Sequence, residues 1–132
     1  MAKKKTILFV DDDPIAMGLL IEEFKKVFGS SVSYEKATTA EEAEEIILEE
    51  LAIKGRLPSM IVSDWMMPGK RGDQFLKEIR KMYPEIKLVL HSGLADQALV
   101  DDLNEQADLL CALPKPWNGK QNVERIFQAI SG

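Results

Sequence analysis

Short apolar runs rich in β-branched residues alternate along the chain with longer segments whose apolar positions recur at helical spacing. This alternation predicts five strand–helix pairs and a parallel sheet covered by helices on both faces. The first strand is expected from about Thr6 to Val10. Asp13 and Pro14 then supply an N-cap and a first-turn proline for a helix reaching about Phe28, with Leu20, Phe24 and Val27 on its inner face and Gly29 as its stop. A second strand runs from Val32 to Lys36. Thr39 and Glu42 form a capping box opening a helix on Ala43, Ile46, Ile47 and Leu51, which closes at Gly55. Glu41, Glu42, Glu44 and Glu45 read as its wet face. The third strand runs from Met60 to Asp64, and a loop through Pro68, Gly69 and Gly72 leads to a helix from about Asp73 to Met82. A fourth strand from Ile86 to His91 is followed by a helix from about Asp96 to Gln106. The fifth strand runs from Leu109 to Leu113, and the last helix carries Val123, Ile126, Phe127 and Ile130 at i, i+3, i+4 and i+7.

The expected fold is therefore α/β, a doubly wound, flavodoxin-like, five-stranded parallel sheet in order 2-1-3-4-5 with five helices on both faces. A chain of 132 residues is the size of one domain, and residues 1–132 are read as a single one. Seventeen Lys and Arg against 22 Asp and Glu give a net charge of -5, which disfavours nonspecific binding to nucleic acid or to an anionic membrane and favours protein partners. One cysteine, Cys111, excludes an internal disulfide and fits a reducing compartment. No apolar run approaches the roughly eighteen residues that span a bilayer, and Met1 to Lys5 is not followed by a signal-peptide core. A cytoplasmic location is expected.

Right-handed crossovers bring all strand carboxyl ends to one sheet edge, where doubly wound folds bind ligands. That edge collects Asp11 and Asp12 after the first strand, Asp64 at the third, Ser92 at the fourth and Lys115 beyond the fifth. Unit charges about 4 Å apart repel by about 4 kcal/mol at an effective dielectric near 20, so clustered carboxylates call for a cation. An oxygen-rich, histidine-poor site selects a hard ion, and Mg²⁺ fits. Lys115 supplies a compact charge for a phosphoryl oxygen. Ser92 supplies a hydroxyl donor, and Gly93 permits close backbone approach. Asp13 is read as a cap, His91 and Cys111 as structural, and Trp65, Met66 and Met67 as mainly packing residues.

Four segments together resemble the receiver domains of two-component response regulators: Phe9 to Pro14, Ser63 to Gly72, His91 to Gly93 and Leu113 to Trp117. The resemblance spans nearly the whole chain. It implies that Asp64 takes a phosphoryl group from a phosphohistidine on a histidine kinase or phosphotransfer protein. It also implies that Asp12, Asp64 and the main-chain carbonyl of Met66 ligate Mg²⁺ directly, with Asp11 acting largely through water. Lys115, ahead of a cis Lys-Pro bond, would pair with the phosphoryl group and Ser92 would move to bond it. The output would be a protein–protein contact, to a separate target or a fused output domain, through the last two helices. Such a domain catalyses only its own phosphorylation and slow dephosphorylation and is not a metabolic enzyme; homodimerisation stays open.

Two departures carry expectations of their own. Ala112 occupies the position where receivers commonly carry a switching aromatic, so transmission is expected through repacking around the helix starting near Asp96, with Trp117 as a participant. Met66 and Leu94 stand where receivers tune hydrolysis of the acyl phosphate. Neither apolar side chain can orient a water by hydrogen bonding, which predicts a long-lived phosphoryl state. Two other classes remain as alternatives. A haloacid dehalogenase-like phosphohydrolase would use Asp11-x-Asp13, but Asp101-Asp102, its only candidate downstream acid pair, falls inside a predicted helix. A flavin-binding module is disfavoured because carboxylates at the end of the first strand would repel a phosphate.

Overall fold

The computed structural model describes residues 4–93 and 97–131. Five strands, β1 (Lys5–Val10), β2 (Val32–Ala37), β3 (Met60–Ser63), β4 (Lys87–His91) and β5 (Cys111–Leu113), form one parallel sheet in the order β2-β1-β3-β4-β5. The helices α1 (Pro14–Phe28), α2 (Ala40–Lys54), α3 (Gly72–Met82), α4 (Gln97–Ala107) and α5 (Val123–Ser131) alternate with them, as the pattern predicts. Strand alternation sorts the core into two layers. Leu8, Val10, Ile61, Leu88 and Leu90 pack with residues of α2, α3 and α4. Ile7, Phe9, Val62, Val89 and Leu113 pack with α1 and α5. Each fully buried large side chain contributes about 1.5–3 kcal/mol, so the sheet owes its rigidity to burial on both faces.

The predicted start and stop signals act as expected. The Asp13 side chain accepts from Ile15 N and Ala16 N at the head of α1. Glu42 N donates to Thr39 Oγ1 at 3.0 Å, while the Glu42 carboxylate reaches back to Thr38 N at 2.7 Å, one residue earlier than in a strict capping box. Gly55 ends α2 with φ 68°, a conformation open to glycine at little cost.

Three expectations need correction. On α2 the inward row is Ala40, Ala43, Ile47 and Glu50, which leaves Leu51 41% exposed. Helical spacing from Ala43 and Ile47 leads to position 50, and Glu50 is tolerated there because Lys54 Nζ lies 3.0 Å from its Oε1. On α5 Ile126 and Ile130 face the core, whereas Phe127 sits at the rim, half exposed and stacked on Phe28 at 6.0 Å. Asp64 and the pair Leu109-Leu110 lie just outside their strands, although Asp64 N still donates to Val10 O at 2.8 Å. The predicted helix start at Asp96 lies outside the described residues. No helix among those described is long and apolar enough to cross a membrane.

Candidate functional site

At the carboxyl edge of the sheet the chain leaves β1, β3 and β4 with no intervening turn, so the first residue beyond each strand inherits the strand's position. Asp11 N donates to Ala37 O at 3.1 Å, which carries the β1–β2 ladder one step further and buries the Asp11 side chain. Asp64 is fixed in the same way by its bond to Val10 O and is 7% exposed. Asp12, next to Asp11, points to solvent. One carboxylate oxygen from each of Asp11, Asp12 and Asp64 falls in a group whose members all lie within 4.8 Å of one another.

Lys115 enters this group from the β5–α5 loop, just ahead of a cis bond to Pro116. Its Nζ is 3.0 Å from Asp11 Oδ2 and 3.5 Å from Asp64 Oδ2. Asp11 Oδ1 accepts from Asp13 N at 2.9 Å, and Asp64 Oδ1 accepts from Trp65 N at 2.9 Å. Burial, followed by the charge of Asp11, raises the Asp64 pKa above the usual carboxylate value; the charge of Lys115, the Trp65 N–H and the hydrogen bond from Lys115 oppose the rise. Burial pulls the Lys115 pKa down, but its hydrogen bond and charge interaction with Asp11, reinforced by Asp64, turn the balance upward. Both directions describe a lysine kept cationic among carboxylates that outnumber it.

Ser92 and Gly93 form the opposite wall. Ser92 N donates to Leu113 O at 3.2 Å, joining this segment to the end of β5. A Cβ on Gly93 would approach Lys115 O to 3.2 Å, so the backbone here passes close to the β5–α5 loop. Met66, two residues past Asp64, is 52% exposed on the outer lip. Leu94 lies outside the described residues. Ala112 is half-buried on β5, on the far side of Leu113 from the acidic group, and lines a hollow of about 520 Å³ bounded also by Val100, Asn104, Asn122 and Arg125. Trp117 is 3% exposed, packs on Phe24 with ring centroids 4.9 Å apart and donates from Nε1 to Gln121 O at 2.8 Å. His91, on β4, is buried, and burial lowers its pKa to about 4, with Lys115 adding to the drop and Asp11 opposing it. An uncharged imidazole there is a structural group, as expected.

The stretch from Trp65 to Gly72 contains two features that the sequence pattern understates. A Cβ on Gly72 would lie 1.8 Å from Asp64 O, so the start of α3 presses directly on the backbone of the central carboxylate. Lys70, which carried no assignment, donates to Glu44 Oε1 at 2.6 Å and Glu78 Oε1 at 3.1 Å, linking the loop to α2 and α3. Its sequence signal is weak, one of two adjacent basic residues, Lys70 and Arg71, at the end of the loop. Asp101 and Asp102 are on α4, with Asp102 2.6 Å from Lys77, and thus play no part in the acidic group. The phosphohydrolase alternative gains no support from that placement.

Three comparisons place this geometry among known proteins. The family model described as the response regulator receiver domain matches residues 7–127. The chain is 32% identical over 133 residues to the hydrogenase transcriptional regulatory protein HoxA of Cupriavidus necator, covering 97% of this chain and 24% of that protein. It is 35% identical over 126 residues to the sensor kinase CckA of Brucella abortus, covering 95% of this chain and 12% of that protein. The chain thus spans a quarter or less of the length of these relatives. Among solved structures, the signal receiver domain of an HD domain-containing protein from Pseudomonas fluorescens superposes with TM-score 0.77 at 22% identity, covering 98% of this chain and 96% of that one. A response regulator receiver domain protein from Clostridium thermocellum gives TM-score 0.77 at 21% identity, covering 96% and 94%.

Proposed function

The chain belongs to the response regulator receiver domain family, and from that premise we propose that Asp64 is its phosphoacceptor and that Asp11, Asp12 and Asp64 seat Mg²⁺. Receiver domains are signalling modules of two-component systems, not metabolic enzymes. The observation that carries the proposal is the grouping of three carboxylates within 4.8 Å of one another, two of them against one ammonium. The donor set is all oxygen and therefore suits a hard divalent ion, which Asp11, Asp12, Asp64 and the Met66 carbonyl would hold. When bound, Mg²⁺ neutralises these carboxylates and the incoming phosphoryl oxygens.

Of the two buried acids, Asp64 rather than Asp11 is proposed as the nucleophile. Both Asp11 oxygens are engaged, by Asp13 N and by Lys115. Asp64 Oδ2 has only the longer 3.5 Å approach to Lys115. In the transfer this oxygen attacks the phosphorus of a phosphohistidine on the kinase or phosphotransfer protein. The P–N bond breaks, its electron pair returns to the imidazole nitrogen, and that nitrogen takes up a proton. Asp64 then carries an acyl phosphate. Lys115 exchanges a carboxylate partner for a phosphoryl oxygen and the Ser92 hydroxyl donates to another, with Gly93 permitting the approach. With no hydrogen-bonding side chain at Met66 or Leu94 to orient water, the acyl phosphate is long-lived. The signal leaves through α4, β5 and α5 to a target or fused output domain, by backbone and helix repacking, since Ala112 offers no ring to swing.

Incubation with a small phosphodonor and Mg²⁺, followed by intact mass and peptide mapping, tests this. The expected result is a single phosphoryl adduct on the peptide containing Asp64, abolished by chelation and by Asp64→Asn. Labelling that persists in Asp64→Asn would remove the assignment.

A further inference from the structure

The loop between Asp64 and α3 carries the Met66 carbonyl, yet no strand pairs with it. Its backbone is tied at its ends, by Asp64 N to Val10 O and by Gly72 N to Trp65 O at 2.7 Å. Between those ties, burial of Met67 pins one residue, and Gly69 at φ 78° turns the chain outward. The next residue is Lys70. Its side chain is only 19% exposed, unusually low for a lysine on a loop, and its ammonium bridges Glu44 of α2 and Glu78 of α3. The hydrogen bond that Lys70 donates to Glu44 is the main reason the Lys70 pKa lies above its ordinary value. Beneath this contact Met67, Ala43, Ile47 and Phe75 share one core cluster, and at the surface one cation joins the same three elements.

We infer that Lys70 is a positioning residue: by holding Glu44 and Glu78 together it keeps the Trp65–Arg71 loop where its backbone can complete the cation site. This rests on the proposed Mg²⁺ seat. An exposed ion pair alone would be worth little, but here one ammonium compensates two carboxylates. Glu78 Oε2 is already buried without a hydrogen-bond partner. With Lys70 neutralised, the two acids repel across the loop and α2 loses its tie to it.

The sign of the effect separates positioning from simple electrostatics. Deleting a positive charge near a cation site should, by Coulomb's law alone, tighten Mg²⁺ binding. Positioning predicts the reverse. Calorimetric titration of the full chain with MgCl₂ should show Lys70→Met binding about tenfold more weakly than the wild type, in the range of losses that follow removal of supporting groups around a metal. Lys70→Arg, which keeps the charge and can reach both carboxylates, should restore most of the affinity. Melting in EDTA establishes that each variant is folded, and Lys70→Gln replaces Lys70→Met if the latter does not fold. A folded Lys70→Met or Lys70→Gln that binds Mg²⁺ as tightly as the wild type, or more tightly, overturns the role of Lys70 and leaves the Mg²⁺ seat intact. Wild-type protein that takes up no Mg²⁺ overturns both.

Discussion

Gly72→Ala is the sharpest structural test of how the site is held. The added Cβ would stand 1.8 Å from Asp64 O, 2.8 Å from Asp64 C and 3.0 Å from Trp65 Cα, all backbone atoms that no rotamer change can move aside. The Asp64 carbonyl would have to retreat by about 1.2 Å merely to reach the 3.0 Å limit of real Cβ neighbours. Overpacking of this kind costs about 1–3 kcal/mol. Strain on the 2.7 Å bond from Gly72 N to Trp65 O adds about 1 kcal/mol. The better helix propensity of alanine returns less than about 1 kcal/mol. A net loss of about 3 kcal/mol is expected, roughly 10 °C in melting temperature for a domain of this size. Urea unfolding followed by circular dichroism reads the stability, and Mg²⁺ titration reads displacement of Asp64. Gly18→Ala is the control: this helical glycine has nothing within 4 Å of its would-be Cβ, so alanine there should stabilise by about 0.5–1 kcal/mol. Gly72→Ala unfolding within about 0.5 kcal/mol of wild type would refute the steric reasoning.

Three further outcomes are expected. With His91 at a folded pKa of about 4 against 6.5 unfolded, the unfolded chain binds the extra proton between these values, so stability is lost as pH falls from 6.5 toward 4, by about 3 kcal/mol at most. The raised pKa of Asp64 works in the opposite sense, so the diagnostic is the difference from His91→Leu, whose unfolding free energy should fall less steeply over that window; equal slopes would count against a buried neutral imidazole. Glu50→Leu should stabilise by about 1 kcal/mol in urea melts, because it replaces a buried carboxylate whose Oε2 has no hydrogen-bond partner with an apolar side chain on the inward row of α2. Met66→Asn places a hydrogen-bonding amide on the exposed lip two residues from Asp64 and should shorten the acyl-phosphate lifetime by roughly an order of magnitude, measured by loss of the mass adduct; an unchanged lifetime would show that Met66 does not govern hydrolysis.

How much of this was legible in the chain follows from which forces were local. Caps at Asp13 and Thr39, the stop at Gly55 and the alternation of Ile7, Leu8, Phe9 and Val10 between two core layers depend on neighbours within a few residues, and all could be read directly. The edge that gathers Asp11, Asp64, Ser92 and Lys115 was also legible, because parallel topology forces strand ends together whatever the details. Leu51 and Phe127 were misjudged for a common reason: apolarity says that a side chain gains by burial, not that the helix rotation provides it. At Glu50 the rotation prevails over polarity, and Lys54 one turn later makes that tolerable. The Lys70 clamp could not be read, since Glu44 lies 26 positions away and looks, from its own segment, like one more wet glutamate.

The charge balance at the sheet edge explains why a single lysine suffices there. Three carboxylates against the Lys115 ammonium leave two uncompensated negative charges within 4.8 Å. A second fixed cation would settle the site permanently and leave no oxygen available to react. Lys115 instead sits closer to Asp11 than to Asp64, 3.0 Å against 3.5 Å, so the acid with both oxygens engaged takes most of the compensation and the other keeps one oxygen weakly held. Burial and the neighbouring Asp11 charge raise the Asp64 pKa for that reason. A carboxylate left short of positive charge gains more than its neighbour from any incoming cation, and the same shortage makes its free oxygen the better donor of electrons to phosphorus. On the proposed function, the half-ångström difference in the reach of Lys115 would assign support to Asp11 and reaction to Asp64.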